Sequence, residues 1–183
     1  MDYYDILIDG ISDEVYVSRI IHTRSWIAAE LSDGRYGIAL HDKLQSRERM
    51  FPSLEGLTAR KAAEAARSWN LLEASEAMAV INAFYNTEER LDKLSARCGF
   101  DNSCTQGFAT EGKKIALIGH LVLQPDALKG ASEVYIIERD PKPGDYPDSA
   151  CEYILPESDI VIMTASAAIN KTLPRLLELS KNA

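Results

Sequence analysis

Long apolar runs are missing from this 183-residue chain, and none approaches the roughly 18 consecutive apolar residues of a membrane helix. That excludes a spanning helix, and we expect no membrane partner. Positive charge is the scarcer sign, with 20 Lys and Arg against 28 Asp and Glu and a net charge of -8. A chain without a basic stripe cannot neutralise phosphates, which excludes nucleic acid and leaves cations and small neutral ligands as suitable partners. Cysteine is rare: Cys98, Cys104 and Cys151 make an odd, irregularly spaced set with no Cys-x-x-Cys pair. This pattern excludes a disulfide frame and a structural zinc site, and it fits reduced thiols in a cytoplasm. The opening Met1-Asp2-Tyr3-Tyr4-Asp5 lacks the basic region of a signal peptide, which also points to a cytoplasmic protein.

What is present suits a packed core. Hydrophobic residues make up 46% and charged residues 26% of the chain, enough for one large domain or two small ones. Tyr3, Tyr4, Ile6, Leu7 and Ile11 have the spacing of a short amphipathic helix. Strands are expected at Val15–Thr23, with Val15, Val17 and Ile21 on one face, at Trp26–Leu31 and at Tyr36–Leu40. Ser32-Asp33-Gly34 between the last two is a hairpin turn, because Asp-Gly accommodates positive φ. Thr58 can cap a helix running through Ala62, Ala65, Ala66 and Trp69. Leu71, Ala74, Met78, Ile81 and Tyr85 recur every three or four residues and predict a helix with one apolar stripe, Asn82 beside it. Thr87 can cap a third helix that turns Leu91, Leu94 and Cys98 inward and closes at Gly99.

Residues 101–112 are polar, bear glycine and lack periodicity, so they read as a linker. Beyond them the pattern changes. Gly112 to His120 is a short basic lead-in followed by an apolar run that stops at Gly119-His120, the signature of a strand buried in a parallel sheet. A short helix is expected at Gln124–Lys129, strands at Val134–Ile137 and Ile160–Thr164, and a helical piece at Ala150–Leu155. Ser166 is expected to begin a last helix carrying Leu173, Leu176, Leu177 and Ser180. The reading is an α/β chain: an α+β domain over 1–100, then a small parallel-sheet βαβαβ domain over 113–183. Three parallel strands are few for a free-standing sheet, so an edge should be covered by the other domain or by a second subunit, and a homo-oligomer is expected.

Open α/β sheets bind ligands at the carboxyl ends of their strands. The first such end here lacks Gly-x-Gly-x-x-Gly and reads Gly119-His120-Leu-Val-Leu-Gln-Pro, which does not support pyrophosphate cradling on glycine amides. His120 is a candidate metal ligand or proton donor. Glu138, about twenty residues on, ends the second strand where nucleotide-binding folds place a ribose-binding acid. Asp145 and Asp148 can add oxygen ligands for a hard cation, although solvation is the ordinary fate of loop carboxylates. Thr164 and Ser166 close the third strand with hydroxyls, Ser166 suiting an N-cap, and Asn170 and Thr172 follow. No Gly-x-Ser-x-Gly elbow accompanies Ser166. His22 and His41-Asp42 fall in or after strands, where most histidines are merely half-buried.

Three segments carry a family resemblance. They are Ser68-Trp69-Asn70-Leu71-Leu72-Glu73 leading to Ala79–Ala83, Gly112 to His120, and Glu138 to Asp145 continuing through Leu155–Asp159 to Asn170–Leu173. Together they resemble a prokaryotic domain-of-unknown-function family linked by name to heavy-metal chelation, and the similarity spans nearly the whole chain. The resemblance implies an N-terminal domain like the amino-terminal domain of enolase, a Rossmann-like second domain, and a site in the cleft between them. Carried over position by position, Asn82, Gly119, His120, Glu138, Thr164 and Asn170 belong near that site. Members of that family continue into a further strand and a Gly-Pro-Ser-x-Pro-like loop, so the resemblance implies a short or truncated member with part of the usual site missing. The first functional expectation is binding of a divalent metal ion, with His120 and Glu138 as ligands, or of a small metal-chelating molecule held by Asn82, Gly119, His120, Glu138, Thr164, Ser166 and Asn170. The alternative is an enzyme using a nicotinamide cofactor or S-adenosylmethionine, with Glu138 on the ribose and His120 as acid or base.

Overall fold

The computed structural model describes residues 3–90, 92–93, 109–123 and 126–183. The chain divides into two compact units, Met1–Lys93 and Leu94–Ala183. Among the described residues no helix is long and apolar enough to cross a membrane.

In the first unit, helix α1 (Tyr3–Asp9) buries Tyr4 and Ile8. Strands β1 (Val17–His22), β2 (Trp26–Leu31) and β3 (Tyr36–Leu40) form an antiparallel sheet in the order β1-β2-β3. The Asp33-Gly34 turn forms as expected, with Gly34 at φ 84° and its N–H donating to the Leu31 carbonyl at 2.9 Å. Strand β1 departs from simple alternation. Val17 faces Leu31 but Arg19 faces Glu30, so Ser18 is an extra residue and the strand bulges. One extra residue inverts every side chain beyond it. Val17 is therefore buried while Ile21 is 37% exposed, which corrects the expectation that both share a face. Beyond the bulge, Ile20 and His22 share the face of the buried Ala29 and Ile27.

Helix α2 (Ala59–Ala63) is capped by Thr58, whose hydroxyl accepts the Lys61 N–H at 3.2 Å. It does not continue to Trp69. The chain tightens into a 3₁₀ turn at Glu64–Arg67 and becomes extended at Ser68, leaving Trp69 66% exposed. Asn70 explains the stop: its side-chain oxygen accepts the Glu73 N–H at 3.1 Å and starts the next helix, and an N-cap residue needs extended backbone.

Helix α3 (Leu71–Tyr85) has the predicted range but not a single apolar stripe, since eleven of its fifteen residues are buried. It is alanine-rich because the sheet lies close against it. A Cβ on Gly37 of β3 would sit 2.0 Å from the Ala83 nitrogen. The buried Glu73 is satisfied by the N–H groups of Met50 and Phe51, both at 2.8 Å, and Glu76 by Arg49. The Thr87 hydroxyl accepts the Arg90 N–H at 3.4 Å. Leu91, Leu94, Cys98 and Gly99, placed in a third helix from the sequence, lie outside the described residues.

In the second unit, strands β4 (Lys114–Ile118), β5 (Glu133–Glu138), β6 (Tyr146–Pro147) and β7 (Ile160–Met163) form a parallel sheet in the order β6-β5-β4-β7. Ile115, Ala116 and Leu117 of β4 are buried, as a central strand requires. The fourth strand corrects the expected count of three. It is two residues long, and Pro147, without an N–H, suits its place at the sheet edge. Of the helix expected at Gln124–Lys129, residues 124 and 125 lie outside the described residues, and residues 126–130 form turns, with Lys129 N–H on the Asp126 carbonyl. Of the expected linker, residues 101–108 lie outside the described residues, while the Gly112 N–H donates to the Gly130 carbonyl at 2.7 Å.

Helix α4 (Cys151–Ile154) sits between 3₁₀ turns at Asp148–Ala150 and Leu155–Glu157. The expected last helix is two helices, α5 (Ser166–Ile169) and α6 (Leu173–Leu179). Lys171 breaks them apart at φ 70°, in the left-handed region, and Pro174 fits only the first turn of a new helix. Ser166 is not the N-cap. Ala165 takes that position without a side-chain bond, and the Ser166 hydroxyl pairs with Thr164 instead.

Candidate functional site

The ladder β6-β5-β4-β7 puts β4 at the centre, with the ends of β4, β5 and β7 side by side. The Gly119 N–H continues it onto the Ile137 carbonyl at 3.0 Å, and the Thr164 N–H onto the Ile118 carbonyl at 3.1 Å. Just past β4, Gly119 adopts φ 94°, and a Cβ there would lie 2.6 Å from Thr164 Cγ2. Glycine is needed on both counts, and its absent side chain lets the β4 and β7 ends close together.

Above these ends lies a cavity of about 640 Å³, within the range of small-molecule sites. All its lining residues belong to the second unit. Gly119, His120, Glu138, Thr164, Ser166 and Asn170, named from the sequence, all line it. Asn82, the seventh, lies on α3 of the first unit, where its amide donates to the Ile38 carbonyl at 2.8 Å. It is not among the cavity's lining residues.

His120 and Glu138 converge. One carboxylate oxygen, Glu138 Oε1, accepts the His120 backbone N–H at 2.7 Å and lies 2.9 Å from Nδ1 of the ring. On the other side of the ring, Nε2 stands 3.4 Å from Asp145 Oδ2. The loop carrying Asp145 is closed on itself: its carboxylate accepts the Lys142 N–H at 2.8 Å, and its own N–H donates to the Lys142 carbonyl at 2.9 Å. Asp145 is thus drawn in, its side chain 7% exposed. This corrects the expectation of a solvated loop carboxylate.

The opposite wall is the break between α5 and α6. Asn170 Oδ1 accepts both the Thr172 N–H at 3.1 Å and the Thr172 hydroxyl at 2.6 Å. Between them Lys171 lines the cavity, and burial lowers its amine to a pKa of about 8. Lys171 was not singled out from the sequence. The pair Leu173-Pro174, which announces a new helix start, was the signal that the preceding residues form a break. Arg175 is tied to Glu152 and Glu178, which hold it above its ordinary pKa. Cys151 also lines the cavity, and burial pushes its thiol up, towards the protonated form.

This donor set does not fit a bare metal ion held by protein alone. Among the described residues no group of three or more His, Cys, Asp or Glu side chains is arranged to hold one. The two nitrogens of His120 face two different carboxylates, and a protonated Cys151 is not the thiolate that soft metals prefer. The cavity is suited to a small molecule carrying both polar and charged groups.

Two family models match in tandem, DUF4213 over residues 4–85 and DUF364 over residues 107–183, both described as "Putative heavy-metal chelation". No curated protein is significantly similar to the chain. A solved structure of a protein of unknown function from the DUF364 family of Desulfitobacterium hafniense DCB-2 is 35% identical with a TM-score of 0.82, covering 98% of this chain and 72% of that one. A second, from Pyrococcus horikoshii, is 24% identical with a TM-score of 0.72, covering 98% of this chain and 74% of its own, and shows likeness of fold alone. With both models matched and a solved relative 35% identical over 98% of this chain and 72% of its own length, the chain belongs to the DUF364 family.

Proposed function

We propose that this protein binds a small metal-chelating molecule in the cavity at the carboxyl ends of β4, β5 and β7. One observation carries the reading. A cavity of about 640 Å³, far larger than an ion needs, gathers carboxylates and a histidine on one wall and Lys171 with Asn170 and Thr172 on the other. A chelator has this dual character, since it carries anionic donor groups and, when loaded, a cationic centre. Lys171 and the hydroxyls suit its anionic end. The lining carboxylates of Glu138 and Asp148 suit the cationic one. The family description supports the same class of ligand.

The test uses citrate, alone and as its zinc complex, in a thermal-shift measurement on the full chain. Binding to the folded state raises the midpoint by linkage. The expected result is a rise with zinc citrate that is reduced in Glu138→Gln and in Lys171→Met. No rise with either form at millimolar concentration overturns the reading.

A second reading rests on the strand order. β6-β5-β4-β7 corresponds to the 3-2-1-4 order of a dinucleotide-binding half, with Glu138 at the end of the second strand. It predicts a shift with a nicotinamide cofactor or S-adenosylmethionine. Glu138 Oε1 is already taken by His120, which weighs against a free ribose-binding acid.

A further inference from the structure

The chain has three histidines, and two of them, His22 and His41, meet in the first unit, whereas the cavity is lined by residues of the second. His22 is the last residue of β1 and His41 follows the end of β3. β1 and β3 both run antiparallel to β2, so the two residues reach the same end of the sheet. The register puts His22 opposite Ile27, and Ile27 opposite Ala39, two residues before His41. Side chains directly opposite share a face, as do residues two apart. Both histidines therefore belong to the face that α3 covers, and the Ser18 bulge turned His22 there.

Each ring has one nitrogen committed. His22 Nε2 lies 3.1 Å from Glu76 Oε1, and a carboxylate only accepts, so Nε2 carries the proton. Glu76 is itself buried and clamped by both terminal nitrogens of Arg49. His41 Nδ1 lies 2.5 Å from the Thr23 carbonyl, so it too carries the proton. These are the partners that metal-binding imidazoles use, a carboxylate for one ring and a backbone carbonyl for the other. The tautomers leave His22 Nδ1 and His41 Nε2 with lone pairs. The ring centroids are 5.4 Å apart and tilted by 50°. Two imidazoles bound to one tetrahedral ion, at about 2.0–2.1 Å per nitrogen, have centroids about 5 Å apart.

From this pair of oriented rings we infer that His22 and His41 form a two-histidine site for a borderline divalent ion such as Ni²⁺, Cu²⁺ or Zn²⁺. Water or an incoming ligand completes the coordination, and Glu76 and Arg49 hold the rings without touching the ion. Imidazole is the protein donor that suits these ions. The site shares no residue with the cavity, and it does not depend on what the cavity binds.

The test is titration of the full chain with Ni²⁺ in a non-coordinating buffer, followed by calorimetry. One saturable equivalent is expected, weakened at least about tenfold by His22→Ala and by His41→Ala, with the double variant no weaker than the worse single one. Circular dichroism checks that the variants remain folded, as the His22 side chain is 41% exposed and His41 half-buried. Absence of saturable binding, or retention of affinity in the double variant, overturns the inference. Neither result bears on whether zinc citrate stabilises the protein.

Discussion

The two units use buried polar groups in opposite ways. In the first, Glu73 and Glu76 are buried on the central helix, yet every oxygen is matched by backbone N–H groups, Arg49 or His22. In the second, the polar groups gather at the strand ends around a cavity, and the helices that carry them are short and broken. An antiparallel meander can lay one long helix across its face and close it completely. A parallel sheet must return each crossover to the same end of its strands, so the opposite ends collect loops and leave room for a ligand. The first unit holds a polar network inside its fold, whereas the second leaves its polar groups lining a cavity.

Removing the network should have the largest effect. Glu73→Ala takes the buried carboxylate partner from the Met50 and Phe51 N–H groups and is expected to cost about 3 kcal/mol. Urea unfolding followed by tryptophan fluorescence reads this, because Trp26 and Trp69 both lie in the first unit. A loss under 1 kcal/mol would erase the contrast between the units.

Gly119→Ala attacks the second unit where β4 and β7 close together. The positive φ and the 2.6 Å approach to Thr164 together should cost about 1–3 kcal/mol. Faster amide hydrogen exchange across β4 is the expected signature, along with a weaker response to zinc citrate.

Lys171 gives a smaller, pH-dependent effect. Its folded pKa of about 8 lies below the 10.5 of an ordinary lysine, so between these values the unfolded chain binds more protons and stability rises with pH. Below about pH 8 the amine is charged in both states and the fold carries the full desolvation cost. Lys171→Met removes that cost. Its stability gain over the native chain should be greatest at pH 7 and shrink steadily from pH 8 to pH 10.5, which pH-resolved thermal melts can follow. A gain that grows with pH contradicts the assignment.

The smallest effect is expected at Arg175, whose partners Glu152 and Glu178 are about half or more exposed. Exposed ion pairs contribute little and are screened by salt. Arg175→Ala should leave the unfolding midpoint unmoved, and a clear drop would mean that the cavity wall depends on this network.

Much of this architecture was legible because hydrophobic period reports burial directly. Strand β4 and helix α3 were readable at their ends, since Lys114 and Gly119 bracket one and Asn70 and Asn86 the other. What escaped was set by tertiary contacts of single residues. Ser18 has no composition that marks a bulge. Tyr146-Pro147 is too short for any period to show. Lys171 takes a conformation usually reserved for glycine, and only the following proline hinted at a break. At the cavity, strand-end positions pointed to Gly119, His120, Glu138 and Thr164, since topology alone puts them together. Asp145 was named as an oxygen donor, but its inward turn escaped, because the loop folds back through Lys142, a contact no local pattern encodes.

The bulge at Ser18 has a consequence for how relatives of this protein should be compared. Because it sets the phase of β1, a one-residue deletion there would swing His22 to the opposite face while leaving every other residue identical. A substitution at Ser18 would not. Within the family, the gap pattern in this strand should therefore track the paired histidines better than the amino acid at any single column. Two relatives with a histidine at the aligned position of His22 would differ in metal capture if one of them lacked the extra residue.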